Sequence, residues 1–476
     1  MNLLTENGVR LTLDAEEYLR ANPSDDLLRK LLLLKKPLIS REDIDSALSE
    51  IEKAKTEIIR PSGFSPLAKE YESNIKVNHA LDVTGKSRTK GEVDNFIAHF
   101  RNRYERIARM LRRSNSVPTI DLADARRHVN EKVRVIVFIS EKRTTKKGNV
   151  LFEVEDMSGT FKVIISQSRF NEKILDKAKM ILTDDIIAVT GKVLEPYMIA
   201  EDIEWPDLPV IREKKRSEVD LATVYLSDLH FGSRYFLDRY LASFVEWLHG
   251  RGEARELAGK VKYICIAGDI VDGIGVYPNQ EKELVVRDIY KQYRMFDDFL
   301  ENIPDHIEVI VAPGNHDAVR RGEPQPALGK DLVSAPDIIR IGNPSSVAIE
   351  GIKHLVYHGT SMDSMIANLP GASYMHPEKV MVEYLRRRHL SPIYGGNLII
   401  PENVDYMVIE EPPDIFHSGH VHKNGYTQYR GTLVINSGTF QDRTDFQIKQ
   451  GHVPTPALVP VYEMKYGRLH TLDFKS

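Results

Sequence analysis

The sequence predicts a multidomain fold: an N-terminal helical module, a small β-barrel and a large α/β layered domain. Three observations predict it. At 476 residues the chain is too long for one compact core. Between about residue 120 and residue 210 it breaks into short β-rich runs separated by turn signals. After Arg216, strand-like apolar runs alternate with helical segments, the pattern of a layered α/β domain.

Residues 1–58 read as helical. Asp14-Ala15-Glu16-Glu17 opens one helix, and Asn22-Pro23-Ser24-Asp25 marks a break followed by an N-cap. Ser40-Arg41-Glu42-Asp43 resembles a capping box ahead of a face carrying Ile44, Leu48 and Ile51. Residues 59–91 turn to Pro, Ser, Gly, Asn, Thr and Lys, and predict a flexible linker. Gly85-Lys86-Ser87 within it is no phosphate-binding loop, because Ala80 stands where that motif needs a glycine. Residues 92–118 predict a basic amphipathic helix, with Val93, Phe96, Phe100, Tyr104, Ile107 and Leu111 at helical spacing. Arg101, Arg103, Arg106, Arg109, Arg112 and Arg113 crowd its far part. They read either as a solvated face or as contacts to nucleic-acid phosphates.

Residues 119–212 change period. Val133–Ile139, Val150–Val154, Phe161–Ile165 and Ile186–Val189 read as strands, and Glu172–Met180 reads as a helix before the fourth. That order predicts a Greek-key barrel of the OB type. Such barrels bind single strands on basic, aromatic faces or hold a neighbouring subunit, and the scarcity of aromatics favours the scaffold role. The charged joint Arg212–Arg216 leads into residues 217–476, the α/β domain.

Composition excludes little else. A net charge of -4 gives no whole-protein attraction to nucleic acid, so any such binding is local. The single cysteine, Cys265, lies in the apolar run Val261–Ala267, which excludes an internal disulfide and predicts a buried thiol in a reducing compartment. Met1–Arg10 is polar, and the longest aliphatic run is Leu31–Leu34. The expectation is a soluble, cytoplasmic protein with no membrane partner.

Five clusters carry the chemistry: Asp228-Leu229-His230, Gly268-Asp269-Ile270-Val271-Asp272-Gly273, Gly314-Asn315-His316-Asp317, His358-Gly359 and Gly419-His420-Val421-His422. Each follows a strand-like run, respectively Leu221–Leu226, Val261–Ala267, Ile307–Ala312, His354–Tyr357 and Ile415-Phe416. Ligands in α/β sheets bind at carboxyl ends of strands. Alternation along a strand would point both residues of Asp-x-His and His-x-His the same way. The glycines would let the backbone turn until the side chains converge. A lone Asp-x-His is common and usually structural; five clusters in this order supply the carboxylates, imidazoles and amide that hold two divalent metals. Such a pair, about 3.5–4 Å apart, activates a water and clamps both oxygens of an in-line displacement at phosphorus.

On these motifs, residues 222–442 resemble the calcineurin-like metallophosphoesterase superfamily. The resemblance implies that Asp228, His230, Asp269 and His422 hold one ion, and that Asp269, Asn315, His358 and His420 hold a second, Asp269 bridging. It implies that His316 contacts the scissile phosphate or protonates the leaving oxygen, oriented by Asp317. Asp272 is kept apart from the ligands. Oxygen and imidazole donors suit Mn²⁺, Fe or Zn²⁺ better than Mg²⁺, and the resemblance favours Mn²⁺. Gly273 directly after Asp272, and Asp317 ending the third cluster, depart from the protein-phosphatase branch and favour nucleases and phosphodiesterases.

Across the whole chain, the order of linker, basic helix, OB-like barrel and phosphoesterase resembles the small (exonuclease) subunits of archaeal family-D DNA polymerases. So do the pieces Asp82–Ser87, Phe100–Arg113, Ser437–Phe446 and Pro454–Ala457. The chain is also similar to B-subunits of eukaryotic replicative polymerases, which have lost metal ligands that this chain keeps. The resemblance implies a proofreading 3′→5′ exonuclease acting on DNA, partnered by a large catalytic subunit in a heterodimer or higher assembly. Arg387, in Arg386–His389, could guide the DNA strand or sit on a solvated helix end. The rivals are a stand-alone phosphodiesterase or repair nuclease, a non-catalytic assembly subunit, and a protein phosphatase.

Overall fold

A computed structural model describes residues 9–21, 27–28, 31, 34, 36–47, 63–112, 117–168 and 171–475. The chain divides into two compact units, Met1–Phe64 and Ser65–Ser476. In the first, strands β1 (Arg10–Leu11) and β2 (Leu38–Ile39) pair in parallel, with the helix Leu13–Ala21 between them in sequence. Its core gathers Val9, Ala15, Leu19, Leu31, Ile39 and Ile44. Ser40 and Asp43 cap residues 41–47 reciprocally: Ser40 N–H donates to Asp43 Oδ2 at 2.9 Å, and Asp43 N–H to Ser40 Oγ at 3.4 Å. The break at Asn22–Asp25, with Leu48 and Ile51, lies outside the described residues. The strand pair corrects an all-helical reading, since two-residue strands carry no periodicity to read.

The second unit begins in the segment expected to be a flexible linker, and there the expectation is overturned. β3 (Ile75–Val77) pairs antiparallel with β13 (Ser345–Ile349), Ile75 facing Ile349. Ala68 is buried in the core of the α/β domain, and Asp82 is buried where it accepts from Gly342 N–H at 2.7 Å and Ser345 Oγ at 3.0 Å. Residues 65–91 therefore belong to the second unit, with the α/β domain. Polar composition hid this, because the partners lie some 270 residues on in the chain.

The helix Val93–Arg112 buries Tyr104, Ile107, Ala108 and Leu111 against Ile136, Phe138, Ile186 and Ala188 of the barrel. The barrel is closed, in the order β4 (Lys132–Thr144), β5 (Val150–Asp156), β6 (Gly159–Ile165), β8 (Tyr197–Glu204), β7 (Ile186–Leu194). The helix Glu172–Lys179 stands before β7, as its apolar spacing predicts. β8 went unread because its acidic residues mask the alternation of Met198, Ala200 and Ile203, all buried.

The α/β domain stacks two six-stranded sheets. One runs β12 (Ile338–Arg340), β11 (Glu308–Ala312), β10 (Val261–Ala267), β9 (Ala222–Leu226), β18 (Leu458–Glu463), β19 (Arg468–Asp473). The other runs β16 (Asn424–Tyr429), β17 (Thr432–Ser437), β15 (Ile415–Ser418), β14 (Ile352–Val356), β13, β3. Tyr225, Cys265, Ala267 and Ile310 of the first pack on Val347, Val356, Ile415 and Ile435 of the second in one core. Cys265 is buried there, and burial pushes its thiol up to about 12, so it is an inert packing group. Among the described residues no helix is long and apolar enough to cross a membrane.

Two arginines of the long helix are pinned against this domain rather than solvated. Arg103 Nε donates to Asp405 Oδ2 at 2.6 Å, and Arg106 donates to Asp405 O at 2.6 Å and to Glu410 at 3.2 Å. His389 Nε2 meets the same Asp405 carboxylate at 2.9 Å. Burial works against the Asp405 charge, but Arg103, His389 and His99 hold it well below the usual carboxylate range. Replacing Arg103 with alanine leaves a fully buried carboxylate short of its main partner. The expected loss is about 3–5 kcal/mol of unfolding free energy, measured by denaturant titration; a loss under about 1 kcal/mol would contradict it.

Candidate metal centre

The five clusters all lie where the chain leaves the carboxyl ends of β9, β10, β11, β14 and β15. The first two loops are laced together by their backbones: Asp228 N–H donates to Gly268 O at 2.9 Å, and His230 N–H to Asp269 O at 3.1 Å. Strand alternation is not what makes the side chains converge. Asp228, His230, Asp269, His420 and His422 lie beyond their strands with φ of 52°, 53°, 51°, 73° and 56°, the left-handed region. Each such residue costs about 1–3 kcal/mol and persists only where surrounding structure enforces it. Five together mark a site whose side-chain directions take precedence over backbone comfort. Gly268 itself turns at φ +83°, and a Cβ at Gly314 would stand 2.2 Å from Asp269 Oδ1. The glycines thus bring the loops closer than a side chain would allow.

Two groups of donors match the ligand sets expected above, and His230, Asp272 and His316 form a third possible group among the described residues. His230 Nε2 and His422 Nε2 lie 3.0 Å apart, and Asp228 Oδ1 is 3.4 Å from the latter. In the other group, His358 Nε2 is 3.3 Å from Asp269 Oδ2 and 2.9 Å from Asn315 Oδ1. Asp269, His358 and His420 each offer a ligand atom within 4.8 Å of the others. Asp269 Oδ2 also lies 3.9 Å from His230 Nε2, so this one carboxylate is shared between the groups. Burial works against its charge, yet His358, His316 and His230 hold it well below the usual carboxylate range. Burial likewise opposes charge on His358, but Asp269 and Asp228 lift it to about 10. Buried carboxylates and imidazoles converging this closely fit two divalent cations. All seven candidate ligands that the resemblance implies meet here.

A further circle of residues orients these donors. Asp272 Oδ1 pairs with His230 Nδ1 at 3.0 Å, and Gln441 Nε2 donates to the same oxygen at 2.9 Å. Gln447 Nε2 touches His422 Nδ1 at 2.8 Å, and His358 Nδ1 pairs with Ala267 O at 2.8 Å. Asp363 Oδ2 meets His420 Nε2 at 3.0 Å, while its Oδ1 accepts from Tyr374 OH at 2.9 Å. This leaves Nδ1 as the His420 ring nitrogen that Asp363 does not engage. Such partners fix ring orientation and typically contribute 10- to 100-fold to metal affinity. Asp363 is half-exposed, at 53% of its side-chain surface, so the low end applies. Asp363→Ala is therefore expected to weaken Mn²⁺ binding about tenfold, read by electron paramagnetic resonance titration; an unchanged titration would refute it. Sequence reasoning missed Asp363, Gln441 and Gln447, although the two glutamines flank or lie within the family-like piece Ser437–Phe446.

Other assignments need correction. Asp317 does not orient His316. Its carboxylate accepts Gly314 N–H at 2.8 Å, Ile270 and Val271 N–H at 3.3 Å each, and Tyr293 OH at 3.2 Å. It fastens the third loop to the second, and burial with Asp269 nearby pushes its carboxyl up to about 6. His316 is oriented instead by the Asp272 carbonyl, 2.7 Å from its Nδ1, which leaves Nε2 turned toward the site, 3.9 Å from Asp269 Oδ2. Arg106 is buried on Asp405. Arg387 is buried too, 2.8 Å from Asp185 Oδ1 and paired with Glu383, tying the helix Pro377–Arg387 to the barrel. Neither is available to a phosphate. Arg109 and Arg112 are exposed, and Arg113 lies outside the described residues.

Residues 222–424 match the family model of calcineurin-like phosphoesterases. Curated relatives match nearly the whole chain. A DNA polymerase II small subunit of Archaeoglobus fulgidus is 40% identical over 92% of this chain and 90% of its own. Its namesake in Methanocaldococcus jannaschii is 39% identical over 84% and 68%, and that of Methanothermobacter thermautotrophicus 38% identical over 86% and 85%. Among solved structures, the asparaginyl-tRNA synthetase of Pyrococcus horikoshii is similar over 18% of this chain and 22% of its own, at 16% identity and a TM-score of 0.17, a local likeness only.

Proposed function

Because the chain belongs to the family of archaeal DNA polymerase II small subunits, with a calcineurin-like metallophosphoesterase domain, we propose that it is the proofreading subunit: a two-metal 3′→5′ exonuclease that works beside a large catalytic chain. The observation that carries the reading is the convergence of Asp228, His230, Asp269, Asn315, His358, His420 and His422 around the shared Asp269 carboxylate.

Asp228, His230, Asp269 and His422 would hold one ion, and Asp269, Asn315, His358 and His420 the other. Two divalent ions, Mn²⁺ before Fe or Zn²⁺, would supply Lewis acidity and water activation at the phosphodiester. The protein's own residues do the rest. Asp272, Gln447 and Asp363 hold three imidazoles in place. Asp272 O fixes His316 by its Nδ1, so Nε2 is the atom placed to contact a phosphate oxygen or pass a proton to the leaving 3′ oxygen. Asp317 keeps the His316 loop seated on the loop of Asp269. Arg109 and Arg112, with Arg101, are exposed cations of the long helix that could meet DNA phosphates.

The test uses 5′-labelled single-stranded and mismatched primer–template DNA, with and without Mn²⁺, and with and without the large subunit. A Mn²⁺-dependent ladder that shortens from the 3′ end is expected. A ladder of opposite polarity would overturn the reading, as would no cleavage even in the complex. Full activity of a lone monomer that never joins the large chain would favour a free-standing nuclease.

A further inference from the structure

We propose that Arg443 is a phosphate-binding residue of this centre, engaging a backbone phosphodiester of the DNA strand. The inference rests on the nuclease reading above and deepens it. Arg443 lies between two residues that touch the donor circle. Two positions before it, Gln441 bonds Asp272, which holds His230. Four positions after it, Gln447 touches His422, while its Oε1 accepts from Thr444 N–H at 3.2 Å, next to Arg443. The backbone at this point is therefore fixed on both sides to the metal centre.

The Arg443 side chain has no such partner. It is partly buried, its Nε is fully shielded from solvent, and its guanidinium makes no hydrogen bond or ion pair among the described residues. Neighbouring carboxylates do not take it up: Asp442 Oδ1 accepts the Arg443 backbone N–H at 2.8 Å, and Asp445 is exposed without pairing to it. So a cation without an acceptor is carried on a segment tied to the outer partners of the first donor group. A shielded Nε–H left unpaired is costly, and an anion arriving with the substrate would relieve that cost. The planar fork of arginine matches two oxygens of a phosphate.

Arg443→Ala and Arg443→Lys test this in the full chain, or in the complex with the large subunit if the chain alone does not bind DNA. The readouts are Mn²⁺ content, fluorescence-anisotropy binding of a single-stranded oligonucleotide across a salt series, and steady-state nuclease kinetics. With Mn²⁺ content unchanged, Arg443→Ala should weaken DNA binding and raise KM about tenfold, leave kcat within a few-fold, and flatten the logarithmic salt slope by about 0.7 for one lost phosphate contact on a single strand. Arg443→Lys should recover the slope but only part of the affinity. Wild-type affinity, KM and slope in Arg443→Ala would overturn the assignment while leaving the nuclease standing. Loss of Mn²⁺ from Arg443→Ala would also overturn it, showing a structural role. A wild-type protein that neither binds nor cuts DNA in any form would instead sink the reading beneath it.

Discussion

Asp269→Ala is expected to empty the centre and abolish hydrolysis. The Asp269 carboxylate is the one group that both donor sets share, 3.3 Å from His358 Nε2 and 3.9 Å from His230 Nε2. Its other oxygen accepts His316 N–H at 2.8 Å, so it also seats the loop carrying Asn315 and His316. Partners that merely orient a ligand typically contribute 10- to 100-fold; removing a shared ligand should cost at least about a thousandfold in activity, with bound Mn²⁺ falling toward zero. Asp269→Asn, which keeps the size and one acceptor, should show the same metal loss with less damage to the loop. Near-normal melting of Asp269→Asn would separate lost metal from lost fold. Normal metal content together with full activity in either variant would remove the site assignment altogether.

His316→Ala should behave differently. His316 belongs to neither of the two ligand sets named above, although it also lies within 4.8 Å of His230 and Asp272 as a third possible donor group; its Nδ1 is held by Asp272 O, which leaves Nε2 to meet substrate. Both ions should remain bound, while turnover falls by roughly 100- to 10,000-fold, the usual range for a lost acid–base group. The contrast with Asp269 is the informative part: one variant loses metal and activity together, the other activity alone. Manganese analysis and single-turnover hydrolysis on the same preparations would read both. If His316→Ala lost its manganese, the residue would be a ligand; if it kept full turnover, it would be a bystander.

How much of this was legible in the sequence follows from where each residue finds its partners. The five clusters were readable because each is local: an apolar run, with the candidate ligands within a few residues of its end. The strands beneath them appear as the apolar runs indicate, and so does the helix Glu172–Lys179 of the barrel. What escaped was set by distant contacts. The arginines at 103, 106 and 387 look like surface cations until Asp405 and Asp185 arrive from about 200 to 300 residues away. The supposed linker is a strand because β13 supplies its partner. Asp317 looks like an imidazole orienter by adjacency to His316, but its oxygens are taken by backbone amides of the neighbouring loop. The left-handed conformations of five candidate ligands could not be foreseen either, since they are imposed by the loops packed around them.

The central claim is that these loops hold two divalent ions that together hydrolyse DNA. Its most direct test is to titrate Mn²⁺ into chelator-treated protein, counting bound ions while following 3′-end hydrolysis in the presence of the large subunit. Two ions per chain are expected, with hydrolysis rising as the second site fills. Hydrolysis at full rate before any ion is bound would contradict the account, as would two ions bound with no cleavage of DNA.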